Sequence, residues 1–383
     1  MTEIDRPEMH PAEAYTLAPP KSPRPIVLLG AGGIVKDAHL PAYSKANFPL
    51  FGIADVVVPR AQALAEAYGI RHVFGSIDEA VAAAPAGAVY DLALMPDQFP
   101  AALESLPDGA AVLIQKPLGN TLADGLKLLR LCQKKGLVAA VNTQLRFAPY
   151  VAAARKLIAD GEIGELYDFE FRINVMQPWY LFPEALKLPR IEINMHSVHY
   201  LDLARSFLGD PDSVSAITVK HPAKWFANTR SDIILRYRGR DLRVVVNANH
   251  DHIFGPEHEQ SFIKWEGTRG AIFLQLGLLL DYPTGGADIL RIARTDAGLT
   301  PDASQRDPDV AWQDVPFEGS WFPDAFIGSM GALQRYLEGS VPTLPTAVDD
   351  VIKTMALVEA AYTSQDFEGI DPRLAFAAAG GQW

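Results

Sequence analysis

The sequence feature that most limits which fold this chain can adopt is an apolar run that ends in glycines. Residues 25–33 read Pro-Ile-Val-Leu-Leu-Gly-Ala-Gly-Gly, and a helix is predicted to begin near Ile34. A strand, a glycine turn and a helix in this order place backbone N–H groups and a helix N-terminus where a pyrophosphate can bind. Val35 stands where the Gly-x-Gly-x-x-Gly pattern has its third glycine, so the helix is expected to pack less closely on the strand than a small residue would permit.

The residues after this turn alternate between short apolar runs and amphipathic helical stretches. Strands are predicted over residues 26–29, 51–54, 71–74, 89–95, 111–114 and 138–141, with helices between most of them. Near-continuous apolar runs of this kind are typical of parallel strands that are buried on both faces. The pattern therefore predicts a doubly wound parallel sheet, the Rossmann arrangement, over residues 25–145.

Beyond residue 145 the pattern changes to strands that follow one another. Helices are predicted over residues 149–159, 196–208, 324–337 and 347–362, and strands over 165–175, 213–220, 231–237, 242–249, 261–266 and 271–275. Successive strands separated by turns indicate a large, mostly antiparallel open sheet, so residues 146–383 are predicted to form an α+β domain. The proline-rich residues 1–24 are either an extended arm that lies over the protein or a disordered tail.

Composition excludes several classes of protein. The 383 residues carry a net charge of -12, which argues against a nucleic-acid partner and an anionic membrane surface. No apolar run approaches the ~18 residues that a membrane span needs, and no signal-peptide core is present near the start. Cys132 is the single cysteine, so no intrachain disulfide can form, and a cytoplasmic location is predicted.

An acidic residue follows the second predicted strand. Asp55 lies 25 positions after Gly30, close to the offset expected of the carboxylate that binds the ribose diol of a dinucleotide. Such a carboxylate repels a 2′-phosphate and so favours NAD over NADP, although the nearby Arg60 could accommodate that phosphate. The alternative is that Asp55 is an ordinary loop acid that caps the helix beginning at Pro59.

A lysine ends the fifth predicted strand, within Gln115-Lys116-Pro117. The carboxyl edge of a parallel sheet borders the crevice in which ligands bind, and Pro117 restricts Lys116 to extended backbone conformations. A partly desolvated lysine can hold or relay a hydroxyl proton. The alternative is a solvated lysine at a strand end.

Two groups of histidines are candidates for chemistry. His196, His199 and Asp202 recur every three residues, which places them on adjacent parts of one helix face. They could be catalytic, they could bind a metal ion, or His196 could cap the helix while Asp202 pairs with Arg205 or Arg155. His250, His252 and His258 form the second group, and a polar turn explains them as well as a metal pair does. No metal site is assigned from the sequence.

Together these residues resemble the Gfo/Idh/MocA family of sugar and polyol dehydrogenases, and the likeness runs from residue 25 to about residue 364. It includes the glycine turn with His39-Leu40-Pro41-Ala42, Asp55, Lys116-Pro117-Leu118, Gln144-Leu145-Arg146-Phe147-Ala148-Pro149, Gly161-Glu162-Ile163-Gly164-Glu165, His199-Tyr200-Leu201-Asp202, Glu266-Gly267-Thr268-Arg269-Gly270, and Asp324 with Phe326. None of these pieces is specific alone, but their order and spacing together are.

The resemblance implies a reversible transfer of a hydride between a nicotinamide coenzyme and a hydroxyl or keto carbon of a sugar, cyclitol or sugar acid. Lys116 matches the catalytic lysine of the family and His199 the catalytic histidine. On the substrate side we expect Arg146, His196, Asp202, Trp179 and Tyr180; the aromatic pair could equally be part of a loop packed at an interface. On the coenzyme side we expect Gly30, Gly32, Gly33, Ile34, Asp55, Arg60, Pro96, Gln115, Lys116 and Gln144. The family also implies a homo-oligomer, a dimer or tetramer, formed through the open sheet.

Three positions depart from the family pattern. Gln115 stands where a glutamate is usual, Met195 where an aspartate is common, and Pro100 where a histidine often occurs. These changes leave two further hypotheses open. In one, a tightly bound NAD is used transiently in a lyase or glycosidase reaction; in the other, the chain is a non-catalytic nucleotide-binding regulator.

Overall fold

The computed structural model describes residues 12, 17–295, 310–367 and 372–373. Within those residues, six parallel strands form the first sheet in the order β3-β2-β1-β4-β5-β6. The strands are β1 (Ile26–Leu29), β2 (Leu50–Ala54), β3 (His72–Phe74), β4 (Val89–Leu92), β5 (Ala111–Gln115) and β6 (Val138–Asn142). Every residue of β1, β4 and β5 is buried, because helices cover both faces of the sheet. The predicted doubly wound sheet is confirmed, although β4 ends three residues earlier than expected.

Five helices connect these strands: α1 (Leu40–Lys45), α2 (Val58–Tyr68), α3 (Ile77–Ala83), α4 (Phe99–Ser105) and α5 (Leu122–Lys134). The side chains of Ser76 and Thr121 accept hydrogen bonds from the backbone at the starts of α3 and α5, an arrangement typical of serine and threonine before a helix. A π turn at Val35–His39 separates the glycine turn from α1, and Val35 is fully buried in it. The helix after β1 thus forms with valine in place of a small residue.

Eight strands of the described chain form a second sheet in the order β14-β13-β12-β11-β7-β10-β9-β8. They are β7 (Leu166–Asn174), β8 (Ser213–Val219), β9 (Arg230–Arg236), β10 (Arg243–Asn249), β11 (Gln260–Gly267), β12 (Gly270–Gln275), β13 (Ile289–Arg294) and β14 (Trp312–Asp314). All neighbours are antiparallel except β7 and β10, which are parallel. One face carries Phe169, Phe171 and Trp265 into the core with α6 (Pro149–Ala159) and α7 (Val198–Leu208). The predicted α+β arrangement is confirmed.

The last two helices, α8 (Asp324–Leu337) and α9 (Val348–Ser364), both pack against the first sheet, and α9 also packs against β8 of the second. Phe326, Met330 and Leu333 of α8 share a buried cluster with Ile26 and Leu28 of β1. The domain boundary at 145/146 stays a prediction, but these contacts tie α8 to the N-terminal sheet. Of the described helices, none combines the length and apolarity that a bilayer crossing requires.

Most of the predicted arm, residues 1–24, lies outside the described residues. Its described end runs along α8: the backbone N–H groups of Lys21 and Ser22 donate to the carboxylate of Glu338, at 2.8 and 3.0 Å. The N–H of Arg24 donates to Gln334 Oε1 at 2.9 Å. The chain therefore enters β1 fixed against a helix that comes about 300 residues later.

Candidate active site

The predicted coenzyme residues lie together at the carboxyl edge of the first sheet. Gly30 follows β1, Asp55 follows β2, Pro96 follows β4, Gln115 ends β5 and Gln144 follows β6. The strand order reverses between β1 and β4, and in doubly wound sheets the crevice at such a reversal binds the ligand. The topology thus brings residues from five strands to one crevice.

The glycine turn has two glycines with different roles. Gly30 has a φ of +115°, and a Cβ there would lie 2.4 Å from the carbonyl oxygen of Ala93, so no larger residue fits. A Cβ on Gly32 would meet no described atom within 4 Å. Gly32 is therefore not required for packing, and its bare backbone leaves room for a ligand to approach the first helical turn.

Asp55 is bonded to the glycine turn. Its Oδ2 accepts the N–H of Ala31 at 2.8 Å, and its Oδ1 accepts the N–H of Val57, just before α2, at 2.7 Å. Each carboxylate oxygen retains a second lone pair that can accept a ribose hydroxyl. Arg60 is exposed on the first turn of α2. Asp55 thus orders both the turn and the residue before α2, and its binding of a ribose diol stays a prediction.

Three buried amides line the edge beyond β5 and β6. Asn142 Nδ2 donates to Gln115 Oε1 at 2.9 Å. The buried Asn142 Oδ1 and Gln144 Oε1 have no hydrogen-bond partner among the described residues. Buried acceptors in proteins are nearly always satisfied, so these two oxygens fit a bound group that donates hydrogen bonds at this edge. Asn142 had no signal in the sequence beyond its place at a strand end.

Lys116 connects the edge of the first sheet to the segment that precedes α7. It directly follows β5 and precedes a cis peptide bond to Pro117, and its Nζ donates to the carbonyl oxygen of Met195 at 2.9 Å. Burial lowers the pKa of Lys116 from its ordinary value to about 8. The neighbouring Gln115 carries no charge that would offset this effect. Lys116 is therefore not a solvated strand-end lysine, and it can both give and take a proton near neutral pH.

His199 lies buried in the first turn of α7. Burial, followed by the positive charge of Lys116, holds the pKa of His199 well below its ordinary value, and its Nδ1 has no partner among the described groups. The imidazole packs edge-on against Trp321, with ring centroids 5.5 Å apart. His199 is thus a neutral base beside a lysine that carries a proton. Trp321 was not recognised from the sequence, because it lies in a loop without a periodic pattern.

Arg146 and Asp202 bind each other. Arg146 Nη2 donates to Asp202 Oδ1 at 2.6 Å, and its Nε donates to the other carboxylate oxygen. Arg146 also pairs with Asp350 at 2.8 Å. The alternative pairing of Asp202 with Arg205 or Arg155 is wrong: Arg205 pairs with Asp210 and Asp350, and Arg155 bonds Ser206. The ion pairs of Arg146 thus fix α7 and α9 to the turn after β6. A role of Arg146 and Asp202 as substrate ligands stays a prediction.

His196 lies in a π turn, Glu192–Ser197, that precedes α7, so the predicted helix start at residue 196 is two residues early. Its ring packs 4.2 Å from that of His250, and Trp179 covers both rings. His196 makes no capping hydrogen bond.

The other two histidines of the second group lie apart from His250. His252 contacts Asn174, and His258 is exposed. Tyr180 is 75% exposed, unlike Trp179.

Comparison with known proteins decides the family. Residues 24–143 match the model of the oxidoreductase family with an NAD-binding Rossmann fold, and residues 151–273 match the Gfo/Idh/MocA C-terminal domain. The chain belongs to the Gfo/Idh/MocA oxidoreductase family. Its relatives include the D-apiose dehydrogenase of Paraburkholderia graminis, 26% identical over 347 residues that cover 88% of this chain and 86% of that protein.

Solved structures of other proteins share the fold. An oxidoreductase from Agrobacterium radiobacter, in complex with NAD+, L-tartaric acid and magnesium, gives a TM-score of 0.73 at 21% identity and covers 90% of this chain and 97% of its own. A putative myo-inositol dehydrogenase from Sinorhizobium meliloti gives 0.66 at 22% identity, with the same coverage of both chains. The chain is thus an NAD(P)-dependent oxidoreductase built on this fold.

Proposed function

We propose that this oxidoreductase oxidises a secondary alcohol of a sugar, cyclitol or sugar acid, with NAD as the hydride acceptor. The observation that carries the proposal is the placement of Lys116 and His199, a lysine of pKa about 8 and a neutral imidazole, at the coenzyme edge of the sheet. The names of the relatives, a D-apiose dehydrogenase and a putative myo-inositol dehydrogenase, support a polyhydroxylated substrate.

The residues at the sheet edge fit a dinucleotide. Gly32, Gly33 and Ile34 offer backbone N–H groups at the start of a helix, and the carboxylate of Asp55 has lone pairs left for a ribose diol. The buried oxygens of Asn142 and Gln144 offer acceptors for a carboxamide. Bound NAD would supply the acceptor for the hydride that leaves the alcohol carbon.

The protein's own residues would move the proton. Lys116, held at Met195, would donate a hydrogen bond to the substrate oxygen and orient it. Neutral His199 would accept the hydroxyl proton as the carbonyl forms, and the reverse reaction would return that proton. Trp179, packed on His196, offers an apolar face against which the C–H surface of a sugar can pack.

A panel of sugars, cyclitols and sugar acids, followed by absorbance of the reduced coenzyme, tests this function. We expect turnover with at least one polyol and a kcat/KM for NAD at least about tenfold higher than for NADP, since the Asp55 carboxylate repels a 2′-phosphate. Asp55→Ala should lower the ratio of kcat/KM for NAD to kcat/KM for NADP. Turnover with simple aliphatic alcohols only, or a preference for NADP that Asp55→Ala leaves unchanged, contradicts the proposal.

A pair of glycine substitutions separates folding from coenzyme binding. Gly30→Ala should lower the melting temperature strongly, because its Cβ would clash with the backbone of Ala93. Gly32→Val should leave the melting temperature nearly unchanged but weaken NADH binding, by about tenfold or more, because the side chain would fill the space beside the helix start. Thermal unfolding and NADH fluorescence titration measure the two effects. Equal NADH affinity in Gly32→Val and the parent chain would remove the glycine turn from the coenzyme site.

We also propose that the chain works in the cytoplasm and forms a homo-oligomer through the outer face of the eight-stranded sheet. Ile217 of β8 and Ile234 of β9 are exposed on this face. Exposed apolar side chains on a broad sheet favour association with a second copy of the chain, as a dimer or tetramer. Light scattering on the purified protein would give the molar mass, and Ile234→Lys should reduce it if this face is the interface.

A further inference from the structure

Glu192, His196 and His250 form a compact group that the coenzyme site does not use. One ligand-type atom from each of the three lies within 4.8 Å of the other two. Glu192 is 0% exposed and His250 is 2% exposed. Glu192 and His196 are four residues apart in the π turn before α7, whereas His250 follows β10, so the fold brings them together across 58 positions of sequence.

The group is short of hydrogen-bond partners. Glu192 Oε1 accepts the hydroxyl of Ser197 at 2.7 Å and lies 3.5 Å from His250 Nε2. Within the described part of the chain, Glu192 Oε2, His196 Nδ1 and both ring nitrogens of His250 have no hydrogen-bond partner. Burial of a carboxylate with incomplete hydrogen-bond partners is unfavourable, so a further cation or donor is expected at this position.

We propose that Glu192, His196 and His250 bind a divalent transition-metal ion. Two imidazoles and one carboxylate are the donor set of several three-ligand zinc sites, and imidazole favours zinc, cobalt, nickel and copper over magnesium and calcium. Zinc–ligand bonds of about 2.1 Å place the ligand atoms of a tetrahedral site roughly 3.4 Å apart, so binding of an ion would draw the three side chains together from a spacing of up to 4.8 Å. The ring of Trp179 packs 5.5 Å from His196 and 6.2 Å from His250 and shields the group from solvent.

This position is next to the proposed catalytic residues. Lys116 donates to the carbonyl of Met195, the residue before His196. Three protein ligands leave one position of a tetrahedral ion for an oxygen ligand such as water. The metal site itself does not rest on the proposed function, because ion binding needs only these three side chains.

Metal binding to the full-length protein tests the proposal directly. After dialysis against a chelator, the protein is titrated with Co²⁺ and Zn²⁺, and bound metal is measured by equilibrium dialysis with elemental analysis. We expect about one ion per chain and the visible absorption of four-coordinate Co²⁺. Glu192→Gln and His250→Gln should each weaken binding by about 10²-fold or more. His252→Gln, a histidine two positions from His250 and outside the group, should bind metal as the parent chain does.

The wild-type titration decides the matter even where a variant fails to fold. Far less than one Co²⁺ per chain at saturating metal, or a spectrum that His252→Gln abolishes and His250→Gln retains, overturns the metal site. A zinc-dependent rise in melting temperature that is present in the parent chain and absent in Glu192→Gln supports it. None of these measurements involves turnover, so they are distinct from the polyol panel.

Discussion

Lys116→Ala is expected to lower the turnover of polyol oxidation by about 10²–10⁴-fold, the range typical of a group that positions or transfers a proton. The buried Nζ lies at the sheet edge, and alanine leaves nothing in its place that can hold the substrate oxygen. The affinity for NADH should stay within a few-fold, because the glycine turn and Asp55 are unaffected. Steady-state kinetics and NADH fluorescence titration measure the two quantities.

Two controls show whether the fall in turnover of Lys116→Ala comes from the loss of a catalytic group or from a loss of stability. Lys127→Ala, a change at an exposed lysine on α5, should leave turnover unchanged. The pKa of Lys116 is lowered by burial, which means that the folded state disfavours its charge below about pH 8. Removing that lysine should therefore leave the melting temperature at pH 7 unchanged or higher. Normal turnover in Lys116→Ala would remove this residue from the mechanism, and a large fall in melting temperature would make it a structural residue.

Asp202→Ala is expected to lower the free energy of unfolding by about 3 kcal/mol, the lower end of the cost of breaking a buried ion pair, because Arg146 keeps Asp350 as its second partner. The side chains of Arg146 and Asp202 are only 9% and 1% exposed, and Asp202 also accepts the hydroxyl of Thr354 at 2.8 Å. Denaturant unfolding at neutral pH measures the effect. Glu184→Ala, which breaks an exposed pair with Lys187, should change stability by no more than about 0.5 kcal/mol.

A second variant separates packing from charge. Asp202→Asn keeps the shape and the hydrogen-bonding oxygen but removes the charge that Arg146 requires, so we expect a smaller loss than in Asp202→Ala. If Asp202→Ala unfolds at the same denaturant concentration as the parent chain, the ion pair does not hold α7 and α9 in place. A specific loss of substrate affinity at full stability would instead favour Asp202 as a substrate ligand.

The sequence predicted the architecture because its signals are local. Buried strands such as β1 and β5 read as continuous apolar runs, and the caps at Ser76 and Thr121 act within four residues. The position of Lys116 at a strand end was also local information. The parallel pairing of β7 with β10 was not predicted, because it depends on contacts between segments about 75 residues apart.

Elements with short or interrupted patterns were missed. β14 has three residues, and β13 follows a stretch of turns, so neither gives a period long enough to recognise. Glu192 was overlooked because an isolated glutamate is usually exposed, and only the fold places His250 beside it. The partner of Asp202 could not be chosen from the sequence, since three arginines compete and Arg146 lies 56 residues away.

The packing of α8 on the first sheet has a consequence for how the chain is made. Synthesis proceeds from the N-terminus, so a ribosome-bound chain that has released its first 145 residues still lacks Phe326, Met330 and Leu333. Until those side chains emerge, the nascent nucleotide-binding half lacks part of the apolar cluster that contains Ile26 and Leu28, and a chaperone or a neighbouring nascent chain can attach to the uncovered residues. Completion of that half thus waits for translation of residues about 300 positions later in the chain.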